Sequence, residues 1–238
     1  MREDTEDAPH PTARIVGAVY LLYFLTAFVA AFLLRGLVTP GHAAATANSI
    51  LTHQGLYRSG FAVDLIGNAL YIVLTAFLYR LLGPVNWSIS LTAAFISLAG
   101  CAVQIFAGVF RLAPLVVLTD TRLATGFSTE QLQNLALLSL SLHGQTFNIS
   151  LVLFGLYDSL LGYLVFRSSF LPRFVGVLLM CAGAGWLTFL WPPFATAVSS
   201  YVLPLGALAE IVFMFWLLLR GINLSAWQAI AASRAGGR

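Results

Sequence analysis

The sequence predicts an all-α, polytopic membrane helix bundle of six transmembrane helices with short interfacial helices. Three observations carry this prediction. Hydrophobic residues make up 59% of the 238 positions and charged residues only 9%, against about 25% charged in soluble domains. The charges are also unevenly placed: six lie in the first 14 positions, two in the last five, and 13 between Ile15 and Ser233. Finally, every basic residue is an arginine, and most stand singly at the ends of apolar runs, the membrane-flanking pattern. Six spans of about 20 residues need about 120 residues, which the apolar excess supplies. A soluble enzyme, a nucleic-acid binder, a disordered chain and a β-barrel all fit this composition poorly, despite a pI near 9.1.

Residues 1–14 read as an acidic cytoplasmic tail, with Glu3, Asp4, Glu6 and Asp7 against Arg2 and Arg14. Ile15–Leu34 is the first span. Its 20 residues exceed the roughly 7–15 of a signal-peptide core, and no basic segment precedes it, so it is expected to be retained. Thr39-Pro40-Gly41 opens a polar interval in which Ala43–His53 is expected as a short interfacial helix. The second span, Ser59–Tyr79, is framed by Arg58 and Arg80. After a Gly83-Pro84-Val85-Asn86 turn, the third span runs from Trp87 to Phe110 and is expected to end at Arg111.

Ser128-Thr129-Glu130-Gln131 has the form of a capping box that starts a helix. A single helix from Thr129 to Phe166 would be about 57 Å long, far beyond a hydrocarbon core of about 30 Å. A break near His143-Gly144 is therefore expected, with an interfacial helix before it and a fourth span over Gln145–Phe166. A tight Arg167–Arg173 loop leads to the fifth span, Phe174–Trp191, stopped by Pro192-Pro193. The sixth, Tyr201–Leu219, contains Pro204 and Glu210 and is capped by Arg220; residues 221–238 form a cytoplasmic C-terminal tail. With both termini inside, inner segments hold eight arginines and outer segments four, the direction of the positive-inside rule. The chain shows no internal repeat or inverted-repeat signature. Cys101 and Cys181 both lie within apolar runs, which excludes a disulfide scaffold.

A charge within hydrocarbon costs about 2.5 kcal/mol or more, so intramembrane polar residues are the best pointers to chemistry. Asp64, Asn68, Tyr71 and Thr75 share one helical face, as do Ser97, Gly100, Gln104, Gly108 and Arg111. Asn148, Gly155, Asp158 and Gly162 form a third stripe, and Gly206 lies one turn from Glu210. The small residues suit close helix contact. Asp64 is placed to pair with Arg58 or Arg111, whereas Asp158 and Glu210 have no arginine at their depth and suit hydrogen bonding or a proton-carrying role. The expected topology puts Asp64, Gln104 and Arg111 toward the outer face, with Arg58 and His143 near its surface. Glu210 falls near the midplane and Asp158 in the inner half. The candidate polar site is thus Arg58, Asp64, Asn68, Gln104, Arg111, His143, Asp158 and Glu210. His10, His42, His53 and His143 are scattered without partners at helical spacing, and the sequence has no catalytic or nucleotide-binding motif. No metal and no cofactor are expected.

Several segments then acquire a family likeness in their order and spacing. They begin with Ala13–Ala18, Tyr20–Tyr23 and Arg58-Ser59-Gly60-Phe61 followed by Asp64-Leu65. Leu142-His143-Gly144, Phe154-Gly155-Leu156, Gly162-Tyr163-Leu164 and Arg167–Arg173 follow, and Gly206–Glu210 and Trp216–Asn223 complete the series. Together they resemble the bacterial membrane family catalogued as domain of unknown function 4386, over nearly the whole chain after the acidic tail. The resemblance implies a small helix bundle in the cytoplasmic membrane with no assigned reaction. Arg58, Asp64, His143, Arg167, Pro172, Arg173 and Glu210 match the family pattern. Many relatives carry a histidine after Phe-Gly-Leu where this chain has Tyr157-Asp158, which makes Asp158 a local feature.

Three functions remain in view. The first is a membrane-embedded binding or transport-like protein for a small polar molecule or lipid. The second is an intramembrane enzyme on a lipid or isoprenoid-type substrate, using Asp64, His143 or Glu210 as acid–base groups. The third is an accessory subunit of a membrane complex. The expected surroundings are the lipid bilayer of a bacterial cytoplasmic membrane, with no nucleic acid and with oligomerisation open to the glycine-lined helix faces.

Overall fold

A computed structural model describes residues 9–235; Arg2, the four acidic residues before Pro9, and Arg238 lie outside this range. Eight α-helices account for most of the described chain: α1 (Pro9–Leu34), α2 (Ala43–Thr52), α3 (Gln54–Leu82), α4 (Trp87–Thr119), α5 (Thr129–Arg167), α6 (Arg173–Trp186), α7 (Pro192–Phe215) and α8 (Leu224–Ala235). No strand occurs among the described residues. Six segments are long and apolar enough to cross a membrane: Ala13–Leu34, Gln54–Leu82, Trp87–Thr119, Thr129–Arg167, Arg173–Leu190 and Pro192–Arg220. Large apolar side chains face outward, Phe28 being 71% and Phe95 62% exposed. Water would penalise such a surface; lipid does not. The protein is an all-α, multi-pass membrane protein, as its composition predicts.

Several helix boundaries differ from the sequence expectation, four of them for a physical reason that the structure shows. Helix α5 does not break at His143-Gly144 and runs unbroken for 39 residues, so no separate interfacial helix precedes the fourth span. A lone glycine costs a helix about 1 kcal/mol, whereas a break would strand backbone groups that lipid cannot satisfy. The surplus length is accommodated by polar early turns carrying Glu130, Gln131, Gln133 and Asn134. Helix α4 does not end at Arg111 but continues through Pro114 to Thr119, because the arginine's charge is met by neighbouring helices. Pro192 and Pro193 start α7 at once; proline fits the first helical turn, where its missing N–H is not needed. The expected C-terminal tail contains α8, whose start is capped by Asn223 Oδ1 accepting from Ala226 N at 3.2 Å.

The chain divides into two compact units. The first comprises residues up to Leu21, Leu70–Gly100 and the chain from Leu151 onward. A close backbone contact joins α5 to α6 through glycines spaced seven apart on each helix. A Cβ on Gly162 would lie 2.6 Å from Gly176 O, and one on Gly183 would lie 2.6 Å from Gly155 O. Only hydrogen fits there. Gly17 likewise lets α1 approach the backbone of Leu218, whose nitrogen would be 2.6 Å from an added Cβ. Leu218 belongs to a π-helical turn, Trp216–Arg220, that ends at Gly221 with φ 68°. Thr75 Oγ1 and Ser97 Oγ share a buried hydrogen bond of 2.7 Å, and the Trp227 indole donates to Leu81 O at 3.0 Å.

The second unit comprises Leu22–Ala69 and Cys101–Ser150. Leu37, Ile50, Tyr57 and Leu115 form its buried apolar cluster. Helix α2 is clasped to the preceding loop by Thr46 Oγ1, which accepts from Thr39 N at 3.0 Å and donates to Thr39 O at 3.1 Å. In the loop after α4, the Arg122 guanidinium grips the Asp120 carboxylate at 2.9 Å and holds it below the usual carboxylate range. The capping box closes reciprocally at the start of α5: Ser128 N donates to Gln131 Oε1 at 2.8 Å and Gln131 N to Ser128 Oγ at 3.3 Å. Ser128→Ala is expected to cost about 1 kcal/mol, read as a lower thermal midpoint in detergent.

Candidate functional site

The sequence-derived polar residues fall into two groups, one in each unit. In the second unit, α3, α4 and α5 bring together Asp64, Arg111 and His143. Arg111 Nη1 lies 3.7 Å from Asp64 Oδ2, and the two side chains are 21% and 34% exposed. His143 Nδ1 stands 2.9 Å from Ala107 O. A carbonyl can only accept, so Nδ1 carries the proton and Nε2 is the acceptor. Nε2 receives Arg111 Nε at 3.2 Å and Nη2 at 2.6 Å. Arg111, not Arg58, is therefore the partner of Asp64. His143 lies within a continuous helix, with both ring nitrogens engaged, instead of capping a junction.

Four further residues of this unit complete the picture. Asn68 Nδ2 donates to Asp64 O at 3.0 Å, while its buried Oδ1 has no partner among the described residues. Gln104 is half-buried on the same α4 stripe as Arg111, and Arg58 is exposed; neither makes a side-chain hydrogen bond or ion pair among the described residues. Sequence reasoning missed Tyr57, whose hydroxyl donates to Arg111 O at 2.6 Å. The signal was present, since Tyr57 precedes Asp64 by seven residues and extends the same helical face.

In the first unit, Asp158 on α5 and Glu210 on α7 are electrostatic neighbours. Asp158 is only 1% exposed. The Trp186 indole interacts with its carboxyl, but neither oxygen makes a hydrogen bond of ordinary length and angle among the described residues. Glu210 Oε2 accepts from the Tyr20 hydroxyl at 3.0 Å, a bond from α1 that the sequence did not suggest. Aromatic rings complete the surroundings. Tyr71 meets Tyr20, Phe154 and Tyr157 edge-on, with centroids 6.5, 5.2 and 6.3 Å away, and Phe213 meets Tyr20 at 6.3 Å. Gly206 explains its place one turn before Glu210: an added Cβ would collide with the Trp186 ring. The small residue makes room for the indole that reaches Asp158.

Nearby in the same unit, Thr75, Ser90, Ala93, Tyr157 and Leu161 line a crevice with room for about one water molecule. No group of three histidine, cysteine, aspartate or glutamate side chains converges as a metal site among the described residues.

Comparison with known proteins adds a family and one relative. The family described as "Domain of unknown function (DUF4386)" matches residues 15–221. An uncharacterized protein of Archaeoglobus fulgidus is 28% identical over 81 residues, which is 33% of this chain and 48% of that protein. This chain thus matches about half the length of that relative. No solved structure matches.

Proposed function

This chain belongs to the family described as Domain of unknown function (DUF4386), and from that premise we propose a membrane-embedded binding or transport-like protein. It acts on a small molecule or lipid at an internal polar site. The protein resides in a bacterial cytoplasmic membrane with both termini in the cytoplasm, a reading supported by the eight-to-four distribution of its arginines. One observation carries the function: Asp158, an almost wholly buried carboxyl group, lacks ordinary hydrogen bonds and neighbours a second acid, Glu210. Packing alone gives no reason to hold two acids in an apolar shell, where polar groups are costly and mark ligand or ion paths. The chemistry around His143 favours binding over catalysis. Both its nitrogens are occupied, so it positions Arg111 and has no free lone pair for a substrate proton.

Native mass spectrometry of the wild type and Glu210→Gln tests this reading. The wild-type protein is expected to retain a small molecule or lipid that the variant loses. Identical bound species and identical stability would make Glu210 a structural residue and sink the proposal.

A further inference from the structure

We propose that Tyr20, Tyr71, Asp158, Trp186 and Glu210 bind a hydrophobic organic cation. The inference rests on the binding reading above and names its ligand class. The two acids come from different helices, and neither forms an ion pair with an arginine or histidine among the described residues. Their site calls for positive charge, which a proton or a bound cation supplies. The surrounding atoms indicate which cation. A hard metal ion wants six or more oxygen ligands, whereas the rings of Tyr20, Tyr71, Phe154 and Tyr157 and an indole dominate here. Aromatic rings instead attract weakly hydrated cations, and apolar contact adds to that attraction when the cation carries hydrocarbon.

Asp158 supplies an independent sign, since the Trp186 indole is the group that interacts with its carboxyl and no cation does so among the described residues. It is 1% exposed, and both its oxygens lack hydrogen bonds of ordinary geometry among the described residues. Buried acceptors are normally satisfied; a cation lodged beside Asp158 would meet that need. The route in also selects for hydrophobicity. Glu210 is half-buried on α7, flanked by exposed Leu208 and Ala207, so a ligand dissolved in hydrocarbon reaches it from the side. A strongly hydrated ion would have to shed its water first.

Tetraphenylphosphonium is a suitable probe, with neutral triphenylphosphine oxide as its uncharged counterpart. Titration calorimetry on the full chain in lipid nanodiscs is expected to show binding of the cation and little binding of the oxide. Asp158→Asn and Glu210→Gln should each weaken it by about 30-fold or more, as when one member of a buried charge pair is removed. Binding should also weaken on acidification, because protons compete at Asp158 and Glu210. The neighbouring titratable groups, Tyr20 on α1, Tyr71 on α3 and Tyr157 on α5, stay neutral across the acid range. Equal binding of cation and oxide, or unchanged affinity in both variants, would overturn the proposal. Should either variant fail to fold, the wild-type comparison of cation with oxide and its pH dependence decide alone. A lipid or molecule lost from Glu210→Gln in the mass spectrum, with no phosphonium binding, would reject the cation while leaving the binding reading intact. Failure of both measurements rejects both.

Discussion

Gly162→Ile is expected to destabilise the protein by about 3 kcal/mol, the upper range for overpacking a filled interior. The reason is backbone, not side chain. A Cβ at this position would lie 2.6 Å from Gly176 O and 2.7 Å from Met180 N, and neither atom can rotate away. Relief requires the two helices to separate along their whole contact, including the Gly155–Gly183 pair at its other end. Unfolding in mixed micelles with rising SDS measures the loss. Gly144→Ala is the control on the same helix. Nothing lies within 4 Å of its added Cβ, and alanine is the better helix former by about 1 kcal/mol. The control should therefore hold or raise stability. Equal losses from both substitutions would remove the glycine contact as the cause.

Arg111→Met is the second large effect, at about 2 kcal/mol. Removing one member of a fully buried pair costs about 3–5 kcal/mol, and the partial exposure of Arg111 and Asp64 lowers that figure. The substitution leaves Asp64 without its counter-charge and His143 Nε2 without its donors. Much of the loss therefore reflects what stays behind. Asp64→Asn made together with Arg111→Met should recover part of it, because the orphaned charge is gone. A double-mutant cycle read by the same SDS titration measures that coupling. Additive losses would mean that the 3.7 Å pair contributes nothing.

The parts of this architecture legible from sequence are those decided by period and polarity. The stripes through Asp64 and Thr75 on α3, and through Ser97 and Arg111 on α4, do face each other within their units: Thr75 bonds Ser97, and Asp64 meets Arg111. The Ser128–Gln131 box was legible because both partners lie within one turn. Length misled where a bilayer thickness was used to cut α5, since nothing obliges a membrane helix to stop at the hydrocarbon boundary. Arg111 misled because a charge reads as an end until its partners are known. Tyr20 was beyond reach: a hydroxyl on one apolar helix gives no hint of an acid 190 residues later. The α5–α6 contact was half visible. Gly155 and Gly162 were marked as a packing stripe, but their counterparts Gly176 and Gly183, at the same spacing on the next helix, were not.

That glycine contact also bears on the order in which the chain assembles. Helices α5 and α6 are joined by five residues, 168–172, so their interface closes a short loop and costs little chain entropy. The bond between Tyr20 and Glu210 spans 190 positions and must wait until α7 has been made and inserted. Contacts near in sequence form faster than distant ones. The glycine hairpin is thus a nucleus available early, and the acid–aromatic site is completed late, by the first helix meeting the last membrane helix. A nascent chain would carry the Asp158 carboxyl before the helix bearing Glu210 exists. The Asp158 carboxyl therefore enters the membrane ahead of its neighbouring acid, which follows only with α7.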